Sequence, residues 1–339
     1  MLPGALGRKA HCRCKSDATT DERREMRAIA EETFGGPIAL INLPTPEIGP
    51  GEVLIRVRAA GVNPFDWKVA DGALEDQMKH HFPLILGFDA AGVIERVGAD
   101  VTELAEGDEV YGYLFKPVIG EGTYAEYVGA PANIVAKRPA TVGFTEAAAL
   151  PTPGLTAMDL VDAVDVREDE TILIVGATGG VGSYAIQLAA RRGARVIATA
   201  RRSNNALVRE LGAAETIDHT TEDLVAAVRT AHPGGIDAVI DVASDREAFG
   251  RISTLVNNSG RLASSVYAAD VEGLARRGIR ATNVSMQPDA RRLGELSRMV
   301  DAGELSVRLD RTYTLEKAAE ALEERRTGHV RGKIVFLIH

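Results

Sequence analysis

The chain has 339 residues, a formal net charge of −9 at pH 7, 45% hydrophobic residues and 26% charged residues. That length accommodates two domains at roughly 100–200 residues each, and the negative balance gives no support for a nucleic-acid partner. No apolar run approaches the roughly 20 residues that cross a bilayer, so no membrane partner is expected. Both cysteines, Cys12 and Cys14, lie at the start of the chain, which excludes a disulfide framework and points to a reduced, cytoplasmic protein.

Residues 1–25 are polar and mixed in charge and lack the apolar core of a secretory signal, so they are expected to form a disordered extension. Within them His11, Cys12 and Cys14 stand close together with no second cluster elsewhere, a poor basis for a zinc site. From Met26 to about residue 147 the chain reads as β-rich. In "EVLIRVRAAGV", Val53, Ile55 and Val57 alternate with Glu52, Leu54, Arg56 and Arg58. Further strands are predicted at "AAGVIERVG", "DEVYGY" and "TYAEYVGA", with Tyr124 and Tyr127 on one face of the last and in a structural role. "FTEAAALPTPGLTAMDLVDAV" is then rich in Ala and Leu and helical in its middle. Strands at "TILIVGA", "RVIATA", "ETIDH", "IDAVIDVA" and "GRLASSV" alternate with helices, one of them in "EDLVAAVRTA". Alternation at this density implies an α/β fold with a parallel sheet covered on both faces. A helix around "LEKAAEALEERRTG" and a strand in "GKIVFLIH" close the chain.

The stretch "ILIVGATGGVGSYAIQLAARRGARVIATARRSNN" carries the clearest chemistry. Gly176 ends an apolar strand, and Gly179, Gly180 and Gly182 lead into a helix on which Val181, Ala185, Leu188 and Ala189 recur at helical spacing. Glycines let the chain turn sharply and let backbone N–H groups approach a pyrophosphate, while the helix N-terminus supplies unpaired donors. Gly176, Thr178, Gly179, Gly180, Val181 and Gly182 are therefore candidate cofactor contacts. The next strand ends at Ala200 and is followed by Arg201, Arg202 and Ser203. An acidic residue here would accept hydrogen bonds from the ribose 2′-hydroxyl of NAD, whereas arginine suits a 2′-phosphate. No Asp or Glu occurs between 194 and 209, and the expected cofactor is NADPH.

These features join "GVNPFDWK" at 61–68, "LGFDAAGVI" at 86–94, "GDEVYG" at 107–112, "GTYAEY" at 122–127, "PTPGLTA" at 151–157 and "GKIV" near the end. From Met26 to His339 the chain resembles the medium-chain dehydrogenase/reductase superfamily, on its zinc-independent quinone oxidoreductase side. The resemblance implies a GroES-like, β-rich catalytic domain made of residues 26–147 and 289–339. It also implies an inserted Rossmann domain at 148–288 with a doubly wound parallel sheet, the cofactor in the cleft between the two, and a homodimer joined through a Rossmann sheet edge.

Zinc-dependent relatives carry a cysteine and a His-Glu pair where this chain has Asn63 and "GFDAAG", so only Asp89 is left to ligate and no metal is expected. The chemistry implied is hydride transfer from NADPH to a quinone or an α,β-unsaturated carbonyl, whose oxygen needs only hydrogen-bond donors. By resemblance Asn63 lines the nicotinamide cleft, and Lys68 matches a lysine that faces the cofactor in plant enone reductases, where it would stabilise an enolate oxygen or meet the nicotinamide ribose; both are candidate catalytic residues, although as a plain residue Lys68 also reads as a solvated lysine on a short helix. Trp67 reads as core packing or as a wall of the acceptor pocket. Enoyl-thioester reductases of the superfamily place a proton-donating tyrosine where this chain has Leu74, which argues against that substrate. His80 and His81 read as a surface loop. Thr156 in "GLTA" matches a cofactor contact, His219 stands where many relatives have a tyrosine near the adenosine half, and Asp241 ends a strand where it either meets ligand or caps the next turn. Two rival functions share the scaffold: a reductase acting in trans on a polyketide or alkaloid intermediate, and an NADPH-binding sensory or crystallin-like protein with little turnover.

Overall fold

The computed structural model describes residues 24–327 and 332–339. The expectations for residues 1–23, including those for His11, Cys12 and Cys14, lie outside the described residues. The first strand, Glu25–Glu31, pairs with Ala39–Pro44 and with Leu84–Ile85 to form a small sheet. This sheet rests on one face of Glu52–Gly61, the strand that organises the β-rich half. Val53, Ile55 and Val57 point into the main core as their alternation predicts, but Leu54 is buried as well. It packs with Met26, Ile85 and Tyr127 beneath the small sheet, so the second face of the strand is covered at Leu54, while Arg56 and Arg58 farther along stay exposed.

Glu52–Gly61 lies inside a seven-stranded sheet of order Val135–Lys137, Glu109–Tyr113, Asp89–Val97, Glu52–Gly61, Lys333–Leu337 and Leu309–Thr314, with Tyr127–Pro131 also paired to it. The last strand of the chain therefore closes against one of the first, with Val335 opposite Gly61. Gly61 has to be glycine, since a Cβ there would stand 2.2 Å from the Ala148 carbonyl oxygen. Tyr124 and Tyr127 do not share a strand face. The strand begins only at Tyr127, and a spacing of three residues cannot keep two side chains on one side of a period-two element. Tyr124 enters the main core and Tyr127 the smaller cluster under the first sheet.

The region read as one Ala-rich helix forms two, Phe144–Ala148 and Pro151–Ala163. Pro151 opens the second at a position where its missing N–H costs nothing. Six parallel strands follow: Thr171–Val175, Arg195–Thr199, Ala213–Ile217, Ile236–Asp241, Val256–Ser264 and Arg280–Asn283. Numbered in chain order they lie 3-2-1-4-5-6 across the sheet. Strand order reverses between the first and fourth, which opens a crevice at their carboxyl ends. The sheet core is apolar on both faces: Ile172, Leu173, Ile174, Val239 and Ile240 are all fully buried.

The glycine helix Gly180–Arg191 packs hard against the first strand. A Cβ on Gly182 would lie 2.3 Å from the Gly176 carbonyl oxygen, so this glycine sets the helix-to-strand distance. Gly182→Ala should destabilise the fold by about 1–3 kcal/mol, read as a lower urea midpoint. An unchanged midpoint would contradict the packing role.

Candidate active site

A cleft of about 1570 Å³ runs between the two sheets, from the carboxyl ends of the parallel strands to the edge of the β-rich half. One wall is the glycine turn. Gly176 sits at φ +80°, and a Cβ there would meet Val242 at 2.8 Å. Gly179 caps the helix in an extended conformation, and a Cβ on it would meet only the Gly176 carbonyl oxygen, at 3.5 Å. Gly176, Thr178, Gly179, Gly180 and Val181 line the cleft, whereas Gly182 is spent on packing. The open Gly179 position beside a 12-residue helix start is a cradle that fits a pyrophosphate.

At the far end, Arg201 and Asn204 line the cleft where the second parallel strand gives way to a short turn. Arg202 and Ser203 do not line it. The backbone N–H of Arg202 instead donates to Asp218 Oδ2 at 2.8 Å. Asp218 also accepts from the Thr220 hydroxyl (2.6 Å) and amide (3.0 Å). These contacts, the Thr220 hydroxyl first, lower its carboxyl to about 2. His219, Glu222 and Asp223 complete this end. Glu222 accepts from the Asp218 amide at 3.2 Å, and Asp223 caps the next helix through the Ala226 amide at 2.8 Å. Asp241 does cap its turn, accepting from the Ala243 and Ser244 amides at 2.9 Å each.

The cleft floor is a buried polar network. Asn63 ends the stretch after Glu52–Gly61 and precedes the helix Pro64–Ala70. Its Nδ2 donates to Asp89 Oδ2 at 2.9 Å, and its Oδ1 accepts from Lys333 Nζ at 2.6 Å. Lys333 also donates to the Val62 carbonyl at 2.9 Å and is only 4% exposed. Asp89 Oδ1 accepts from the Thr152 hydroxyl (2.6 Å) and amide (3.0 Å). Thr156, one turn on, lines the cleft and donates to the Thr152 carbonyl at 2.7 Å. The side chain of Lys333 also reaches the glycine turn, since a Cβ on Gly180 would come within 3.2 Å of its Cδ. In the sequence Lys333 carries no signal of its own beyond its place in the "GKIV" motif.

Beneath Asn63 lies Asp66, fully buried. Its Oδ2 accepts from the Asn63 amide at 2.6 Å and from the Tyr124 hydroxyl at 2.5 Å, while its Oδ1 has no partner. Burial pushes this carboxyl up to about 7, against the pull of Tyr124, the Asn63 amide and Lys333.

The other end of the cleft is apolar and aromatic. Phe65, Tyr113, Phe115, Leu74, Met78 and Met286 line it. Phe65 packs on Phe88 at 5.1 Å between centroids, and Tyr113 and Phe115 lie parallel at 5.8 Å. Lys68 lines the same end from the exposed side of its helix. Trp67 is half-buried and is not a cleft residue. His80 is half-buried with its ring edge-on to Phe34 at 4.8 Å, while His81 is exposed, so only the second matches the surface-loop expectation. Among the described residues no group of three or more His, Cys, Asp or Glu is placed to hold a metal ion, and no helix is long and apolar enough to cross a membrane.

The raised Asp66 carboxyl makes stability depend on pH. Between its ordinary 3.8 and about 7 the folded chain holds a proton that the unfolded chain has released, so stability falls as pH rises through that window. Asp66→Asn removes this contribution. Glu31, which burial also raises to about 7, titrates in both proteins and cancels. The unfolding free energy of the wild type relative to D66N should fall from pH 4 to 7 and level off above it. A pH-independent difference would contradict the assignment.

Two regions of the chain match known domain families. Residues 49–140 match the alcohol dehydrogenase GroES-like domain, and residues 211–336 match the zinc-binding dehydrogenase family. The chain is 31% identical over 325 residues to a chloroplast envelope quinone oxidoreductase homolog of Arabidopsis thaliana, covering 91% of this chain and 98% of that protein. It is 30% identical over 323 residues to the 2-methylene-furan-3-one reductase of Solanum lycopersicum, covering 92% of this chain and 79% of that protein. Among solved structures, the quinone oxidoreductase from Coxiella burnetii superposes with a TM-score of 0.84 at 33% identity, covering 93% of this chain and all of that one. Membership of such a family implies a nicotinamide cofactor. The chain is an oxidoreductase that belongs to the medium-chain dehydrogenase/reductase superfamily, in its quinone oxidoreductase-like branch.

Proposed function

We propose that the protein is a metal-independent, NADPH-dependent reductase that passes a hydride to a quinone or an α,β-unsaturated carbonyl. One observation carries the reading: a single continuous cleft joins a glycine-lined phosphate cradle, an arginine at its far end, and an aromatic pocket floored by hydrogen-bonding side chains. Bound NADPH would supply the hydride. Gly179, Gly180 and Val181 would hold its pyrophosphate through backbone N–H groups, and Thr156 and Asn63 would border its nicotinamide.

Metal independence rests on how Asp89 is used. Both of its oxygens are engaged, by Asn63 and Lys333 on one side and Thr152 on the other. Asn63 and Phe88 add no ligand of the kind zinc takes, and the cleft already offers donors for a developing oxyanion. The acceptor pocket favours a flat, apolar molecule that can lie against Phe65 and Phe115. Relatives named as a quinone oxidoreductase and a furanone reductase support that substrate class. A homodimer through the terminal sheet strand Arg280–Asn283, which pairs on one side only among the described residues, belongs to the same reading.

The preference for NADPH rests on Arg201, with the neighbouring carboxylates Asp218, Glu222 and Asp223 tied to backbone amides. Arg201→Ala should weaken NADPH binding about 10–100-fold and NADH binding little, the scale of a lost charge-assisted hydrogen bond. Arg202→Ala should change neither by more than about twofold. Equal losses for both cofactors in R201A, measured by fluorescence titration, would contradict the 2′-phosphate assignment.

The direct test is NADPH oxidation against a panel of quinones, enones and one enoyl thioester. Turnover of quinones or enones, with the thioester inert, is expected. Tight NADPH binding with no turnover of any member would instead favour a sensory role or a specialised biosynthetic substrate.

A further inference from the structure

Hydride addition to a conjugated carbonyl loads charge onto its oxygen, so a reductase without a metal needs a donor that is not already committed. Lys68 offers an ammonium from the exposed rim of the cleft, and a donor on the floor has to be a hydroxyl or an amide. Most hydroxyls at the cleft floor are committed. Thr152 donates to Asp89, and Thr156 donates to the Thr152 carbonyl. Among the buried tyrosines, Tyr124 donates to Asp66 and Tyr111 to the Leu293 carbonyl at 2.6 Å. Asn63 keeps one Nδ2 hydrogen beyond the one given to Asp89.

Tyr113 differs. It lines the cleft, is 7% exposed, and its hydroxyl makes no hydrogen bond among the described residues. Nor is that hydroxyl among the side-chain atoms sealed from solvent without a partner, so it is open to the cleft. Its placement follows from strand register. Tyr113 lies directly opposite Asp89 across the antiparallel pair Glu109–Tyr113 and Asp89–Val97, and directly opposed residues project from the same sheet face. Asp89 is in turn opposite Gly61, two residues before Asn63. Tyr113 thus shares the cleft floor with the Asn63 side of the network. Its ring is held between Phe115, parallel at 5.8 Å, and Phe88, tilted at 6.1 Å.

We infer that Tyr113 is the catalytic hydrogen-bond donor that stabilises the acceptor's carbonyl oxygen during hydride transfer. This deepens the reductase reading and rests on it. In the step for an enone, the hydride forms a C–H bond at the β-carbon. The alkene pair moves to join the α- and carbonyl carbons, and the carbonyl π pair moves to oxygen, where the phenol donates. A water proton then adds at the α-carbon, giving the saturated ketone. The acceptor gains two electrons, which the nicotinamide loses, and Tyr113 keeps its proton throughout. Burial, with the Asp89 and Asp66 charges behind it, raises the phenol's pKa, which suits a group that donates without ionising.

The test compares Tyr113→Phe with the wild type, both checked for equal thermal unfolding. Where the wild type reduces an enone or quinone, Y113F should lose about 100-fold in kcat with NADPH affinity unchanged within about twofold, the scale of one lost oxyanion donor. Wild-type turnover by Y113F would overturn the assignment and leave the reductase reading standing. Should the wild type reduce no acceptor, the reductase reading fails, and Tyr113 is judged by binding alone. The probe is 4-nitrophenolate, a flat oxyanion followed by its absorbance. Tenfold weaker binding to Y113F supports the phenol as an oxyanion donor, and equal binding overturns it.

Discussion

The ammonium of Lys333 is the contact on which the rest of the site depends. It is buried from water and held by the Val62 carbonyl, the Asn63 amide oxygen and, at 3.5 Å, an Asp89 oxygen. A buried cation is tolerated only when it is paired and hydrogen-bonded, and removing one partner of such a pair typically costs about 3–5 kcal/mol. The constraint runs along the chain in both directions. It requires the last strand to lie beside Glu52–Gly61, which fixes the turn into Asn63, and it brings Gly332 into a parallel bridge with Gly179 of the glycine turn. One residue from the end of the chain therefore joins the cofactor cradle to the cleft floor.

The electrostatics of that floor are graded. Asp89 faces Lys333 and two donors from Thr152, so its burial is offset by a cation and by hydrogen bonds. Asp66, equally buried but held only by the Asn63 amide and the Tyr124 hydroxyl, leaves one oxygen without a partner. The two carboxylates hold Asn63 at two points, one taking its side-chain amide and the other its backbone amide. With both groups fixed, Asn63 has little rotational freedom left. A preorganised amide costs no reorganisation when charge moves in the cleft, which is the condition for electrostatic catalysis without a metal.

Much of this was legible in sequence because it is written in local patterns. The glycine turn, the strand-helix alternation and the "NP" stretch each carry their physics within a few residues. The positions that local patterns do not reveal depend on distant pairings. Lys333 reads as a strand lysine until the closing strand is set beside Gly61, more than 270 residues earlier. Tyr113 reads as one aromatic among several until strand register sets it opposite Asp89. Arg202 and Ser203 looked equivalent to Arg201, but only the short turn that follows decides which of them faces the cleft and which binds Asp218. Alternation assumes one buried side and so sets Leu54 outward, but the small first sheet covers the strand at that one position and leaves Arg56 and Arg58 exposed.

The proposed function requires direct transfer of hydrogen between cofactor and acceptor within this cleft. The most direct measurement is the reduction of an enone with NADPH deuterated at the transferring nicotinamide position, followed by mass and NMR analysis of the product. One deuterium at the β-carbon, delivered from a single face, is the predicted result. A reduced product without deuterium would mean that the hydrogen comes from elsewhere, and would contradict the hydride-transfer account of the site.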